Sequence, residues 1–495
     1  MSFLVLDCGT SASKAAVVAE DGRILALSRR PITVRRPGPG QAEIDADELW
    51  ASAQDAARAA LRKAPRAGRD VQALGVSALL GYVFLDGKQR PLGPAVIWMD
   101  NRAAAEAEEI RGRLSEEAVY ARTGRRISPE LLAPKLLWYS RHHPGLARCR
   151  RLVIGLKDEL VRRLCGAVQT DVAHLDYSLL FNIHQGRLDP DLLTELGIDP
   201  TLFPEPRRAT DVVGRLTLEA ARGLGLPAGL PVISGSSDGT TAMYGGGVLE
   251  SDVAVLVAGT TDVCMTASPY PVQDPTLTLT VNTGQAPGLY LAGGAMGLAG
   301  GALRRLEELL SVSVRSRRAR IRRLPPGSDG LLVFPGFSGE RSPYWQKDFT
   351  GGLIGLTLGH RPEHVFRAAM EAAAYRVRRL VELLAGCGLA PTRINVTGGF
   401  ADLDVWNHIR ADVTGIEHRR PRVAEATVLG TAMFCRAALD GRTTLAELSR
   451  QWIKIGRRYR PDSALTQEYR ARAELFDEFI HSTAGFYRRL GRVRN

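Results

Sequence analysis

Phe3-Leu-Val-Leu-Asp7-Cys8-Gly9-Thr10-Ser11-Ala12-Ser13-Lys14-Ala15-Ala16-Val17-Val18 is an apolar strand, a tight polar turn and a second apolar strand, and Asp21-Gly22 then turns the chain into a third. Apolar runs on both sides of Gly-Thr-Ser predict a hairpin. Its tip presents a carboxylate, small hydroxyls and backbone N–H groups, the set that a metal–polyphosphate requires. Gly9 lets the main chain approach an anion closely, Thr10, Ser11 and Ser13 offer hydroxyls, and Asp7 can hold Mg²⁺ directly or through water. An ordinary hairpin with a polar tip would read the same way in isolation.

The motif has an echo. Val253-Ala-Val-Leu-Val-Ala258-Gly259-Thr260-Thr261-Asp262-Val263-Cys264-Met265 is again strand, Gly-Thr-Thr turn, strand. Two phosphate-type hairpins half a chain apart predict two related domains facing each other across a nucleotide. A third Gly-rich turn, Ile394-Asn395-Val396-Thr397-Gly398-Gly399-Phe400-Ala401, follows a strand and precedes a helix from Asp404, and offers a bare backbone on which a base or ribose can lie. The chain contains neither a Gly-x4-Gly-Lys-Ser/Thr loop nor a dinucleotide GxGxxG fingerprint.

With 495 residues, 45% hydrophobic and 24% charged, the chain reads as globular and too long for one core. No apolar run reaches the roughly 18–20 residues of a membrane span, and the first strand is too short and too quickly polar for a signal peptide. The 6 cysteines are scattered without a CxxC pair and read as small buried hydrophobes in a reducing cytoplasm. A net charge of +12 raises nucleic-acid binding. The densest run, Arg315-Ser-Arg317-Arg318-Ala-Arg320-Ile-Arg322-Arg323, has no interleaved aromatics and reads as a solvated helix, so no nucleic acid and no membrane is expected as a partner.

Punctuation divides the chain at about Val248. The first part predicts helices at 47–62, 103–114 and 158–164 and strands at 73–77 and 232–234. The second predicts a long helix over 362–385, with Phe366, Met370, Ala373, Val377 and Leu380 on its core face and Gly386 at its stop, and a charged helical tail after about Pro461.

Two acidic positions stand out. Asp238, in Gly235-Ser236-Ser237-Asp238-Gly239-Thr240 after an apolar strand, is either a base with room for a substrate or a cap for the next helix. Asp100 and Arg102, two apart on an extended segment after Trp98, can bind vicinal hydroxyls or a carboxylate together, or form a structural ion pair. Trp98 itself reads as packing.

These segments, in this order over nearly the whole chain, resemble the FGGY carbohydrate kinases. Asp7-Cys-Gly-Thr-Ser, Trp98-Met-Asp100-Asn-Arg102, Lys135-Leu-Leu-Trp138, Lys157-Asp158, Ser236-Ser-Asp238-Gly239 and Gly259-Thr-Thr carry the likeness. So do Phe337-Ser-Gly-Glu340-Arg341-Ser-Pro343, Gly351-Gly-Leu-Ile-Gly-Leu, Thr397-Gly-Gly-Phe-Ala401, Trp406 and Glu425-Ala426. The resemblance implies an α/β fold of two ribonuclease H-like (actin-type) domains, 1–248 and 249–495, with the active site in the cleft between them. It implies a cytoplasmic, ATP- and Mg²⁺-dependent sugar kinase, and a homodimer by analogy.

In that reading Asp238 is the catalytic base, with Asp7 and Asp238 on the metal side. Asp100, Arg102, Leu80, Gly81 and Asp238 bind the sugar. Thr10, Ser11, Ser13, Lys14, Gly259, Thr260 and Thr261 hold the phosphates, and Gly398, Gly399, Phe400 and Asn407 border adenosine. Family members often carry a Met-His element after the strand before Trp98. This chain has Ser77-Ala-Leu-Leu80-Gly81-Tyr82 there, which puts a standard xylulose pocket in doubt. A ketopentose such as xylulose and a sugar acid such as gluconate stand level as acceptors, with glycerol behind. An actin-fold ATPase without a sugar, and a non-catalytic sugar-binding regulator, are the two readings from other classes.

Overall fold

The computed structural model describes residues 1–143, 149–250 and 252–494. Two large sheets carry the architecture. The first is six-stranded, in the order Val212–Arg215, Pro231–Ser237, Val71–Ala78, Ser2–Cys8, Ala12–Ala19, Ile24–Pro31. The second is seven-stranded, in the order Thr280–Thr283, Tyr290–Leu298, Thr261–Ser268, Val253–Ala258, Arg393–Thr397, Glu417–Pro421, Ile455–Tyr459.

The same plan appears twice. In each sheet a leading strand forms a hairpin with its successor and pairs in parallel with a strand far downstream, which pairs in parallel with another. Strands with both faces covered read as continuous apolar runs, and every residue of Ser2–Cys8 is buried. This is the doubled fold that the two hairpins predict.

Helices close the faces. Ala46–Lys63 starts on Asp45, whose side chain accepts the backbone N–H groups of Asp47 and Glu48, and buries Leu49, Ala53, Ala56 and Ala57. The long helix runs over Pro362–Gly386, so Gly386 is its last residue and Cys387 stands at the cap. The arginine run forms the helix Val314–Arg323, anchored by buried Val314 and Ile321. Four cysteines are buried as expected, whereas Cys165 and Cys387 are only half-buried. Among the described residues, no helix is long and apolar enough to cross a membrane.

Two helices join the halves. Asp238–Gly246 leaves the first sheet and packs on the second, and Ala426–Asp440, from the far end of the chain, packs on the first. They cross in backbone contact: a Cβ on Gly245 would overlap the Ala426 carbonyl, and one on Gly430 the Thr241 carbonyl. A smaller four-stranded sheet, Glu43–Ile44, Ala95–Ile97, Leu80–Leu85 and Arg151–Gly155, projects from the first half and carries Leu80 and Tyr82.

Candidate active site

One cavity of ≈ 360 Å³ is lined by both halves of the chain. Thr10, Leu80, Trp98 and Asp238 come from the first half, and Gly259, Thr260 and Thr261 from the second. The two turns are alike: Gly9 N–H donates to the Ala12 carbonyl at 3.0 Å and Gly259 N–H to the Thr261 carbonyl at 3.2 Å.

Asp238 is the first residue of its helix and not the cap. Ser237 caps, its Oγ accepting the Thr240 N–H at 3.2 Å, which leaves the Asp238 carboxylate to the cavity apart from one contact with the Gly239 N–H at 2.7 Å. Burial, reinforced by the nearby Asp7 charge, pushes Asp238 up to about 6. Below it the strand Pro231–Ser237 is held by a buried polar network. Asp171 accepts from Ser236 Oγ at 2.7 Å and Gln285 Nε2 at 3.0 Å, and pairs with Lys157 at 3.2 Å and with His174.

Asp7 is buried opposite Lys14 in the hairpin register. Lys14 Nζ lies 3.3 Å from Asp7 and 3.0 Å from Glu425, which also pairs with Arg29, so one lysine bridges the first hairpin and the head of the helix Ala426–Asp440. Burial raises the Asp7 carboxyl against the pull of Lys14. In the third turn Gly398 holds φ +90°, which favours glycine, and its Cβ position faces the Ala258 backbone, whereas the space beside Gly399 is open.

Family models match both parts of this structure. Residues 2–245 match the N-terminal domain of the FGGY family of carbohydrate kinases and residues 254–439 its C-terminal domain. The chain belongs to the FGGY family of carbohydrate kinases. It is similar to a glycerol kinase of Aromatoleum aromaticum, 30% identical over 93% of this chain and 95% of that one. It is also similar to the xylulose kinase of Escherichia coli, 28% identical over 96% and 97%. The crystal structure of xylulose kinase from Rhodospirillum rubrum superposes with a TM-score of 0.89 at 27% identity, covering 99% of this chain and 100% of that one. This FGGY kinase is thus a phosphotransferase with an alcohol group as acceptor.

Several expected site residues of the kinase lie behind the cavity wall. Asp100 is fully buried and accepts the Ala42 N–H at 2.7 Å, while Arg102 spends its guanidinium on Asp100, on Glu43 at 2.6 Å and on the Tyr139 hydroxyl at 3.0 Å. This is the ion pair of the alternative reading, and neither residue lines the cavity. Gly81 is wedged against Leu156 and the Val96 carbonyl. Ser13 is buried and accepts from Cys8, and Ser11 is exposed outside the cavity lining. Phe400 is buried with its ring against Gly300. Asn407 is buried too, its amide N–H₂ donating to the Ala401 carbonyl at 2.8 Å and its Oδ1 accepting from Arg410, so it braces the third turn. Sequence spacing gives the face of an element but not the layer packed over it.

Other residues line the chamber besides the predicted ones. Trp98, expected to pack, lines the cavity and donates from Nε1 to Thr10 Oγ1 at 3.3 Å. Tyr82 presents its ring while its hydroxyl donates to the Tyr177 carbonyl at 3.2 Å. Arg125, Glu130 and Arg341 also line the chamber, and Arg341 pairs with Glu130 at 2.6 Å across the two halves. Arg341 sits in a segment that carried the family likeness, but no pattern in the residues gave it a role.

Proposed function

We propose that this kinase transfers the γ-phosphoryl group of ATP to a hydroxyl of a small polyhydroxylated acceptor. The first part, 1–248, binds the acceptor and supplies the base, and 249–495 binds the nucleotide. The observation that supports this most is that Asp238 and the Gly-Thr turns of both halves line one cavity. The acceptor hydroxyl gives its proton to Asp238, which a value near 6 keeps ionised at neutral pH yet basic enough to receive it. Thr10, Gly259, Thr260 and Thr261 supply hydroxyl and backbone donors to the phosphates, and the Gly398-Gly399 turn, open beside Gly399, borders adenosine.

Asp7 and Asp238 suit Mg²⁺. Among the described residues no group of three or more His, Cys, Asp or Glu forms a metal cage. Two neighbouring carboxylates, each raised by burial, fit an ion that arrives with a nucleotide and keeps phosphate and water oxygens. Bound there, the ion would neutralise charge on the phosphates.

Similarity to glycerol kinases favours glycerol as acceptor. A chamber of ≈ 360 Å³ walled by Leu80, Tyr82 and Trp98 also leaves room for a ketopentose such as xylulose or a sugar acid such as gluconate. The test is ADP release over glycerol, pentuloses, gluconate and polyols, repeated with Asp238→Asn. Acceptor-dependent turnover that vanishes in the variant supports the reading. Equal ATP hydrolysis with and without every acceptor overturns it in favour of an ATPase, and sugar binding without turnover in favour of a regulator.

A further inference from the structure

Four arginines are buried among the described residues: Arg125, Arg367, Arg376 and Arg410. A guanidinium taken out of water needs a carboxylate or a full set of acceptors, because it stays charged at any physiological pH. Arg367 has Glu371 at 2.9 Å, Arg376 has Glu340 at 3.1 Å and Arg410 has Asp262 at 3.2 Å. Arg125 has no carboxylate within ion-pair distance among the described residues. It is also the member of the four that lines the cavity.

Its donors are mostly unspent. Among the described residues one hydrogen bond leaves Arg125, from Nη2 to Asn282 Oδ1, and Nε finds no acceptor. The guanidinium lies over the Tyr177 ring, 3.7 Å from its centroid, which fixes its plane without using an N–H. Asp176 feels the charge of Arg125 from beyond ion-pair distance, and its two oxygens accept the Thr283 N–H at 2.6 Å and the Thr283 hydroxyl at 2.9 Å. Position is fixed as well. Gly124, one residue earlier, accepts the Val281 N–H at 3.0 Å and leaves no room for a Cβ against Val281. Neighbouring Arg126 and Arg341 are each paired, with Glu116 at 3.2 Å and Glu130 at 2.6 Å, so neither duplicates Arg125.

We propose that Arg125 is the specificity-determining residue of the acceptor chamber, and that it receives an oxyanion on the acceptor, so that the preferred substrate is a polyhydroxylated acid or a polyol phosphate. This rests on the kinase reading above and selects, among its acceptors, the anionic ones over the glycerol that similarity alone favours. A neutral polyol leaves a buried cation with unspent donors, whereas an oxyanion satisfies both charge and N–H groups, the situation in which a binding site discriminates most strongly. Tyr82, Tyr177 and Leu80 beside it form the apolar wall along which a carbon chain lies.

The test uses matched acceptors that differ only in the terminal group: glycerate, glycerol 3-phosphate and glycerol; xylonate and xylitol; gluconate and sorbitol. Calorimetric binding and initial rates are measured for the wild type, Arg125→Gln and Arg125→Lys, with melting curves as a control. The wild type should favour an anionic member by at least about tenfold in kcat/KM, and carboxylates against phosphates identifies which oxyanion fits. Arg125→Gln should abolish that preference by raising the acceptor KM, with the ATP KM and kcat within about threefold, and Arg125→Lys should restore part of it. Wild-type binding that is equal or better for the neutral members overturns the proposal, whatever the variants do. So does a variant whose defect lies in the KM for ATP, which would assign the oxyanion to the nucleotide. Absence of phosphorylation with every acceptor, together with tighter binding of the anionic ones, would instead remove the kinase reading and leave Arg125 in its role.

Discussion

The two Gly-Thr hairpins share a turn but differ in their acids. In the first, Asp7 stands opposite Lys14, whose side chain is 27% exposed and divides itself between Asp7 and Glu425. In the second, Asp262 is fully buried, and its partner Arg410 is sealed beneath the sheet with its guanidinium 4.0 Å from the centre of the Trp406 ring. An acid with a partly exposed, exchangeable partner can trade that partner for a metal–phosphate. An acid locked to a buried arginine cannot do so without leaving a cation stranded. The two hairpins therefore share a turn, and the acid with an exchangeable partner stands in the first alone.

Asp238, beside Asp7, gives the largest expected effect. Asp238→Asn should lower kcat/KM by about 10²–10⁴-fold. It should also stabilise the unliganded protein by roughly 1–3 kcal/mol in thermal melts, because a carboxyl held above its ordinary value costs folding free energy once ionised. The sign follows from the direction of the shift: the cost is absent below the unfolded value, grows as pH rises and is complete above about 6. The wild-type kcat/KM should climb through pH about 6 and level off. A rate unchanged well below that pH would remove Asp238 as the base.

Asp262→Ala sharpens the contrast from the other side. It strands buried Arg410 and should cost about 3–5 kcal/mol of stability, with turnover per folded molecule nearly unchanged. A loss of turnover without a fall in Tm would erase the difference between the hairpins. Asp7→Asn should do the reverse, lowering kcat by about 10²-fold at nearly constant Tm, with the defect largest at low Mg²⁺ concentration. Glu425→Gln, at the partly exposed end of the lysine bridge, should cost only about 0.2–1 kcal/mol and less at high salt. A larger loss of stability would make that bridge a structural pair like the one at Asp262.

Legibility tracked the range of the interactions. Hairpins, the small-residue turn before Asp238 and the helix over Pro362–Gly386 rest on neighbours a few positions apart, and their residues announce them. Asp100 and Arg102 were correctly placed together, but whether they face a ligand or the interior depends on Ala42, Glu43 and Tyr139 closing over them from elsewhere. Asn407 lies near a Gly-rich turn in sequence and beneath it in space. Arg125 is one arginine among many until the other three buried ones are seen to have carboxylate partners.

Periodicity, turn chemistry and the spacing of small polar residues were enough to predict a doubled α/β chain, two like Gly-Thr hairpins and a single candidate base. Packing between distant segments was needed to show which acid keeps an exchangeable partner, which ion pair is sealed and which buried cation has no carboxylate partner among the described residues. The reason is physical: backbone geometry is set by near neighbours, whereas burial and charge compensation are properties of surfaces that meet only when remote parts of the chain fold together.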